Sequence, residues 1–275
     1  MRADLHVHSN ASDGTDDPAT VMRNAAAAGL DAVALTDHDT TAGHAVARAA
    51  LPEGLTLIPG MELSCHLNDR SVHLLAYLFD PGDVELAEQT RRIRDDRVIR
   101  AQAIVTKLAE LGADVTWEQV TAIAGSSVVG RPHIARAMVA AGIITEPRDA
   151  FTSEWIADDG RAYVTKYALD PVHAIGLIKA AGGVAVLAHP RAGRAWDLSD
   201  AEITGLAAAG LAGVEVAHPD HDLAERQALL RLATALDLLA TAGSDNHGSF
   251  TGGPIGSETV DADTLTRLES LGRVP

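Results

Sequence analysis

The chain has 275 residues, 47% hydrophobic and only 3% aromatic, enough Ala, Val and Leu for one large α/β core. Its formal net charge of −16 disfavours broad binding to phosphate backbones but leaves room for a small phosphorylated substrate where bound cations dominate the local field. The single cysteine, Cys65, excludes an internal disulfide and a thiolate zinc site; with no signal-peptide pattern and no apolar run of roughly 18–20 residues, a cytoplasmic location away from membranes is expected.

In chain order, residues 3–7 read as a buried strand within Asp4-Leu5-His6-Val7-His8-Ser9. Strand side chains alternate, so His6 and His8 share a face and can bind one metal, with Asp13 in the turn that follows. Two strand histidines facing solvent would give the same pattern. An Ala-rich helical pattern at 18–28 is followed by Gly29, where helix C-caps place glycine. The next strand, 32–35, stops abruptly in Thr36-Asp37-His38-Asp39. Asp39 or Thr40 suits a helix N-cap, and His38 is the better ligand candidate. Strand 55–59 leads into Gly60-Met61-Glu62-Leu63. A carboxylate in so apolar a stretch needs a partner or a cation, and a bridging position between two metals supplies both. An exposed edge-strand glutamate is the alternative. Strand 72–78 carries His73, which taken alone reads more readily as a satisfied core histidine.

Between about 84 and 165 the alternation of strand and helix breaks. Residues 84–112 are charged and helix-prone, with four arginines from Arg91 to Arg97, and 117–124, 132–141 and 147–157 read as shorter helices. Helical patterns then recur at 171–181, 198–209 and 223–235. Strand 183–188 runs into His189 and Pro190, with Arg191 as a phosphate candidate. Strand 213–216 runs into Ala217-His218-Pro219-Asp220-His221. Strand 238–241 runs into Gly243-Ser244-Asp245-Asn246-His247-Gly248, whose glycines permit a tight turn. The chain after Gly248 is glycine-rich and ends in a short helix.

Such alternation argues for parallel βα units, whose sites form at the carboxyl ends of the strands. Most of the 12 histidines fall there. Each segment alone has a bystander explanation; six together make it improbable. A nitrogen and oxygen ligand set without thiolate favours Zn, Mn or Fe, and more than one ion. His44, His66 and His173 fall outside these segments and read as bystanders, and Cys65 as a packing residue.

The segments DLHVHS, LTDHD, PGMELS, AHP and GSDNHG, in this order over essentially the whole chain, resemble the motifs of the PHP (polymerase and histidinol phosphatase) family. GRPHIA and EVAHPDH resemble its small bacterial phosphoesterases, which include 3′,5′-nucleotide bisphosphate phosphatases and 5′-to-3′ exoribonucleases. The resemblance implies an α/β fold, a distorted (β/α)7 barrel over 1–83 and 166–275 with 84–165 as a helical insertion. It implies two or three divalent ions (Mn, Fe or Zn). His6, His8, Glu62 and Asp245 would hold one metal, and Glu62 would bridge to a second held by His73 and His189. Asp13, His38 and His247 would hold a third, Asp13 standing where histidinol phosphatases often carry histidine. The implied reaction is phosphomonoester hydrolysis by a hydroxide between two metals, attacking phosphorus in line. The substrate expected first is the 3′-phosphate of a nucleoside 3′,5′-bisphosphate, or a short 5′-phosphorylated RNA end. Arg131, His133, Arg191, His218 and His221 are the expected substrate-binding residues, with Ser127 nearby. Arg131 and His218 are the expected catalytic residues, Arg131 meeting a phosphate at a helix start and His218 contacting phosphate or protonating the leaving oxygen. Histidinol-phosphate phosphatase and a non-catalytic metal- or partner-binding module are the competing readings. No long nucleic acid, membrane or obligatory protein partner is expected.

Overall fold

The β-branched and alanine-rich apolar runs form seven strands in the computed structural model, which describes residues 1–68, 70–125, 127–192 and 197–272. They are β1 (Ala3–Val7), β2 (Ala32–Leu35), β3 (Thr56–Leu67), β4 (Arg70–Tyr77), β5 (Val184–Leu187), β6 (Gly213–Ala217) and β7 (Leu239–Ala242), lying side by side in that order. The sheet curls into a nearly closed barrel: Val7 bridges Asn246 just past β7, and the His8 N–H donates to the Asn246 carbonyl at 2.9 Å. The helices are α1 (Pro18–Ala27), α2 (His44–Ala49), α3 (Val84–Glu110), α4 (Trp117–Ala124), α5 (Arg131–Ala140), α6 (Pro171–Ala180), α7 (Asp200–Ala208), α8 (Leu223–Ala235) and α9 (Ala262–Leu271). Asp17, Asp170, Ser199, Asp222 and Asp261 cap α1, α6, α7, α8 and α9 by accepting first-turn N–H bonds. Among the described residues, no helix is long and apolar enough to cross a membrane.

The expectation of uniformly parallel strands is corrected at β4, which runs antiparallel to both β3 and β5. Only residues 68 and 69 separate β3 from β4. A connection that short makes a hairpin, whereas a parallel return needs a crossover of a dozen or more residues. The reversal brings the amino-terminal half of β4 to the rim where its parallel neighbours end. His73 therefore pairs with Ser64, diagonal to Glu62 on the long β3. The helix expected at 147–157 is only a 3₁₀ turn, Pro147–Ala150. Thr152 there turns its hydroxyl onto the Asp149 carbonyl at 3.4 Å, the local bonding that competes with helix. Asp39 and Thr40 do not cap α2, whose N-cap is Gly43.

The chain divides into two compact units, residues 1–90 with 168–275, and residues 91–167. The first division falls within α3, a few residues after the expected 84, and the second two residues beyond the expected 165; residues 69, 193–196 and 273–275 of the expected barrel range lie outside the described residues. In the first unit Leu5, Ala34, Ile58, Leu75, Tyr77 and Val186 form a buried core, while Val21 and Met22 of α1 pack with Val7, Val33 and Leu35. The helical unit has its own core, including Ile104, Leu108, Val120, Ile134, Met138 and Ile156.

Candidate metal centre and active site

The nine candidate ligands come together at the rim of the barrel. Three groups have ligand atoms within 4.8 Å of one another: His6, His8, Glu62 and Asp245; His38, Glu62 and His73; and His8, Asp13, His38 and His247. Glu62 is buried at the middle, and its two oxygens face different partners. Oε2 lies 3.3 Å from His6, 3.1 Å from His8 and 3.1 Å from His38. Oε1 lies 2.7 Å from His73 Nδ1 and 3.0 Å from His189 Nε2. Asp245 Oδ1 is 3.2 Å from His6 Nε2 and 3.3 Å from His8 Nε2. Asp13 meets His247 Nε2 at 3.3 Å and His38 Nε2 at 3.8 Å.

Two imidazole nitrogens, His6 Nε2 and His8 Nε2, stand 3.1 Å apart. His8 Nδ1 is buried without a hydrogen-bond partner, and Asp13 Oδ1 and His38 Nδ1 face His247 and Glu62 without hydrogen-bond geometry. Buried polar atoms are ordinarily paired, and lone pairs aimed at one another need a cation between them. The electrostatics agree. Burial opposes ionisation of Asp13, Glu62 and Asp245, yet the surrounding histidines hold all three carboxyls well below the ordinary range. Burial also opposes a charge on His8, but Asp245 and Glu62 pull it up to about 10, whereas burial takes His38 down to about 3. This is an oxygen and nitrogen donor set fit for divalent metals.

Other residues hold these ligands in place. The Asp37 carboxylate accepts from the Ser9 N–H (2.8 Å), the Ser9 hydroxyl (2.7 Å) and the Ser12 hydroxyl (2.7 Å), fixing the loop before Asp13. Asp39 holds Ser64 through its N–H at 2.7 Å, joining the His38 turn to β3. Glu215 of β6 is fully buried; its Oε1 lies 3.0 Å from His6 Nδ1, and its Oε2 accepts the His189 N–H at 2.8 Å. Of these braces only Asp39 received a role from sequence, as a helix cap, although Glu215 carries the signal that singled out Glu62, a carboxylate between apolar strand residues. His189 and Asp245 have positive φ, 27° and 50°, uncommon outside glycine and met at functional sites. Gly243 is needed for close approach: a Cβ there would collide with the His6 Cβ and stand 3.0 Å from Glu215 Oε1.

The expected substrate residues are placed as follows. His218 is buried, with Nδ1 accepting the Asp220 N–H at 3.1 Å and Nε2 facing Asp245 Oδ2 at 3.3 Å. Burial works against its charge, but Asp245 and Glu215 outweigh that and raise its pKa. His221 has both ring nitrogens on backbone: Nδ1 donates to the Val216 carbonyl at 3.0 Å, and Nε2 accepts the Arg191 N–H at 3.2 Å. It braces two loops in the structure. The Arg191 guanidinium is paired with Asp200. In the helical unit, His133 Nδ1 accepts the Gly130 N–H at 3.0 Å and so caps α5. Arg131, at the start of α5, bonds the Ile156 carbonyl (3.0 Å) and Asp158 (2.6 Å). It lines a cleft with Arg97, Arg100, Gly130 and Ile134. Burial, with Arg131 and Arg97 as like-charged neighbours, lowers the Arg100 pKa to about 10, so it stays cationic at neutral pH. Their i, i+3 spacing puts Arg97 and Arg100 on one face of α3, a signal the sequence carried and the reading missed.

His44 lies outside the metal groups; its Nε2 lies 2.9 Å from the Gly60 carbonyl and 3.2 Å from that of Leu35. His66 and His173 are also absent from those groups.

The motif order and this geometry coincide with known proteins. The PHP domain family model matches residues 4–111. A 3′,5′-nucleoside bisphosphate phosphatase from Chromobacterium violaceum is 33% identical over 267 residues, covering 96% of this chain and 93% of that one. The chain belongs to the PHP family. It is a metal-dependent hydrolase of phosphate esters, with a His, Asp and Glu cluster able to hold metal. A phosphoribosyl 1,2-cyclic phosphate 1,2-diphosphodiesterase from Eggerthella lenta is 33% identical over 259 residues (91% of this chain, 95% of that one). A 5′-3′ exoribonuclease from Haemophilus influenzae is 34% identical over 249 residues (89% of each). A solved structure from Bifidobacterium adolescentis, described as a candidate metal-dependent phosphoesterase, superimposes with a TM-score of 0.92 at 36% identity, covering 99% of this chain and 96% of that one.

Proposed function

We propose that this PHP protein removes the 3′-phosphate of nucleoside 3′,5′-bisphosphates, or acts on short 5′-phosphorylated RNA ends. Two or three divalent ions, Mn, Fe or Zn, would be held by His6, His8, Glu62 and Asp245, by His73 and His189 sharing Glu62, and by Asp13, His38 and His247. When bound they supply Lewis-acid charge to the phosphoryl group and water acidified toward neutrality. The chain's own residues do the rest. Glu62 and Asp245 fix the imidazoles that face the reacting phosphate. His218, on the Asp245 side, hands a proton to the leaving oxygen as the P–O bond breaks, or contacts the phosphate. Arg191 and His221, linked through backbone, shape the adjoining loop.

What supports the choice of a doubly phosphorylated substrate is the relative named for a nucleoside bisphosphate, 33% identical over 96% of this chain. Arg97, Arg100 and Arg131 line one cleft, where burial first, and then the like charges of Arg131 and Arg97, lower the Arg100 pKa to about 10, with Asp158 against Arg131. Taken within the helical unit, a cleft of that charge at the start of α5 suits a phosphate group. His133 serves it by capping α5, and the relatives named for a nucleoside bisphosphate and for RNA agree in substrate class.

The test is phosphate release by manganese-loaded protein from adenosine 3′,5′-bisphosphate. Histidinol phosphate, a 5′-phosphorylated oligonucleotide and a ribosyl 1,2-cyclic phosphate serve as comparison substrates. Adenosine 5′-monophosphate as the main product is expected; turnover of histidinol phosphate or the cyclic phosphate alone sinks the assignment. Arg131→Ala should raise KM for the bisphosphate about 10–100-fold, as loss of a charged hydrogen bond does. An unchanged KM would remove the cluster from the substrate site.

A further inference from the structure

Glu215 is tied at once to His6, a member of one ligand group, and to His189, a candidate ligand beside Glu62 that lies outside the three groups. One oxygen meets His6 Nδ1 at 3.0 Å, leaving His6 Nε2 aimed at Glu62 (3.3 Å), Asp245 (3.2 Å) and His8 (3.1 Å). A carboxylate that accepts the Nδ1 proton forces the tautomer with a free lone pair on Nε2, which metal ligation requires. The other oxygen accepts the N–H of His189, whose φ of 27° needs an external hold, and whose ring reaches the opposite Glu62 oxygen at 3.0 Å. The carboxylate is fully buried and has no route to solvent that would explain its charge. The missing Cβ at Gly243 leaves the space that His6 and Glu215 share.

We infer that Glu215 is a positioning residue that sets the His6 tautomer and the His189 backbone together, and so couples the loading of the two metals that share Glu62. The inference rests on the metal centre assigned above, not on the substrate. Glutamine in its place offers one acceptor and one donor to two donors. One contact is then lost, or His6 is turned to the Nε2–H tautomer that points a proton at the metal. The hydrogen bonds of Glu215 go to His6 and His189, not to Asp13, His38 or His247, which serve as an internal control.

The experiment is chelator-competition titration of metal-free protein with manganese and with zinc, in wild type, Glu215→Gln and Glu215→Asp. In Glu215→Gln the tightest sites should weaken about 10–100-fold, the usual effect of losing a residue that orients a ligand. Glu215→Asp, which keeps both acceptors, should recover part of the loss. A variant that merely loosens the fold would melt earlier yet bind metal as before, and wild-type dissociation constants in Glu215→Gln would overturn the inference. Should the variant not fold, histidine nitrogen NMR of the wild-type protein decides: His6 protonated on Nδ1 supports the assignment, and His6 protonated on Nε2 refutes it. A protein that binds metal normally but hydrolyses none of the four esters refutes the substrate reading and leaves this test intact.

Discussion

At the scale of single residues, the centre is governed by how few groups are left to share its charge. Glu62 lies within reach of five imidazoles, three on one oxygen and two on the other. Replacing it with glutamine halves its acceptor capacity and removes the negative charge that balances two cations. Glu62→Gln should therefore lose bound metal by elemental analysis and more than about 100-fold in activity, beyond the usual effect of an outer residue. Retention of full metal content would show that the ion pairs around Glu62 are structural. Glu62 and His73 were legible in the sequence for different reasons. Glu62 was marked by an isolated charge among apolar neighbours. His73 gave no signal of its own and became a candidate only through the other segments.

At the scale of elements, close contacts between strands decide what a substitution does. β7 ends where β1 begins its ligand run, and Gly243 lets the two backbones approach. Gly243→Ala should lower the melting temperature by the equivalent of about 1–3 kcal/mol, the range for forced overpacking, and weaken metal binding through His6. An unchanged melting profile would mean the barrel seam has slack. α7 offers a pH test. Its capping box joins Ser199 to Glu202, and Glu202 also pairs with Arg70 of β4. The Ser199 N–H and hydroxyl, with Arg70, hold the Glu202 carboxyl down from 4.5 to about 2. A carboxyl depressed in the folded state adds stability above its unfolded pKa, lost as pH falls through the folded one. The stability difference between wild type and Glu202→Gln should thus be present at neutral pH and vanish between about 4.5 and about 2. A constant difference in acid unfolding curves would assign the effect to packing.

At the scale of the whole molecule, metal and fold are linked by mass action. Three ionised carboxyls and facing imidazoles are buried together, so the metal-free chain bears repulsion that cations relieve. Chelation should lower the melting temperature, and readdition of manganese should restore it. The stabilisation is about 4 kcal/mol when free metal exceeds its dissociation constant about 1,000-fold. A melting curve indifferent to chelator would separate metal binding from folding. The charge of −16 belongs to this scale too, and fits a substrate small enough to be held by local cations.

The sequence by itself determined the strand and helix order, the two-part composition and the identity of the metal-ligand candidates. These follow from local signals: period-two apolar runs, helix caps, and polar residues stranded at strand ends. Only the tertiary structure decided the direction of β4 and the failure of the 147–157 helix. The first depends on a two-residue connection closing a hairpin, and the second on side chains competing for backbone bonds. It alone placed both nitrogens of His221 on backbone and split the Glu62 oxygens between two sets of histidines. It also set Glu215 behind His6 and His189, residues 209 and 26 positions away along the chain. Contacts of that range depend on how the barrel closes, and no local pattern encodes them.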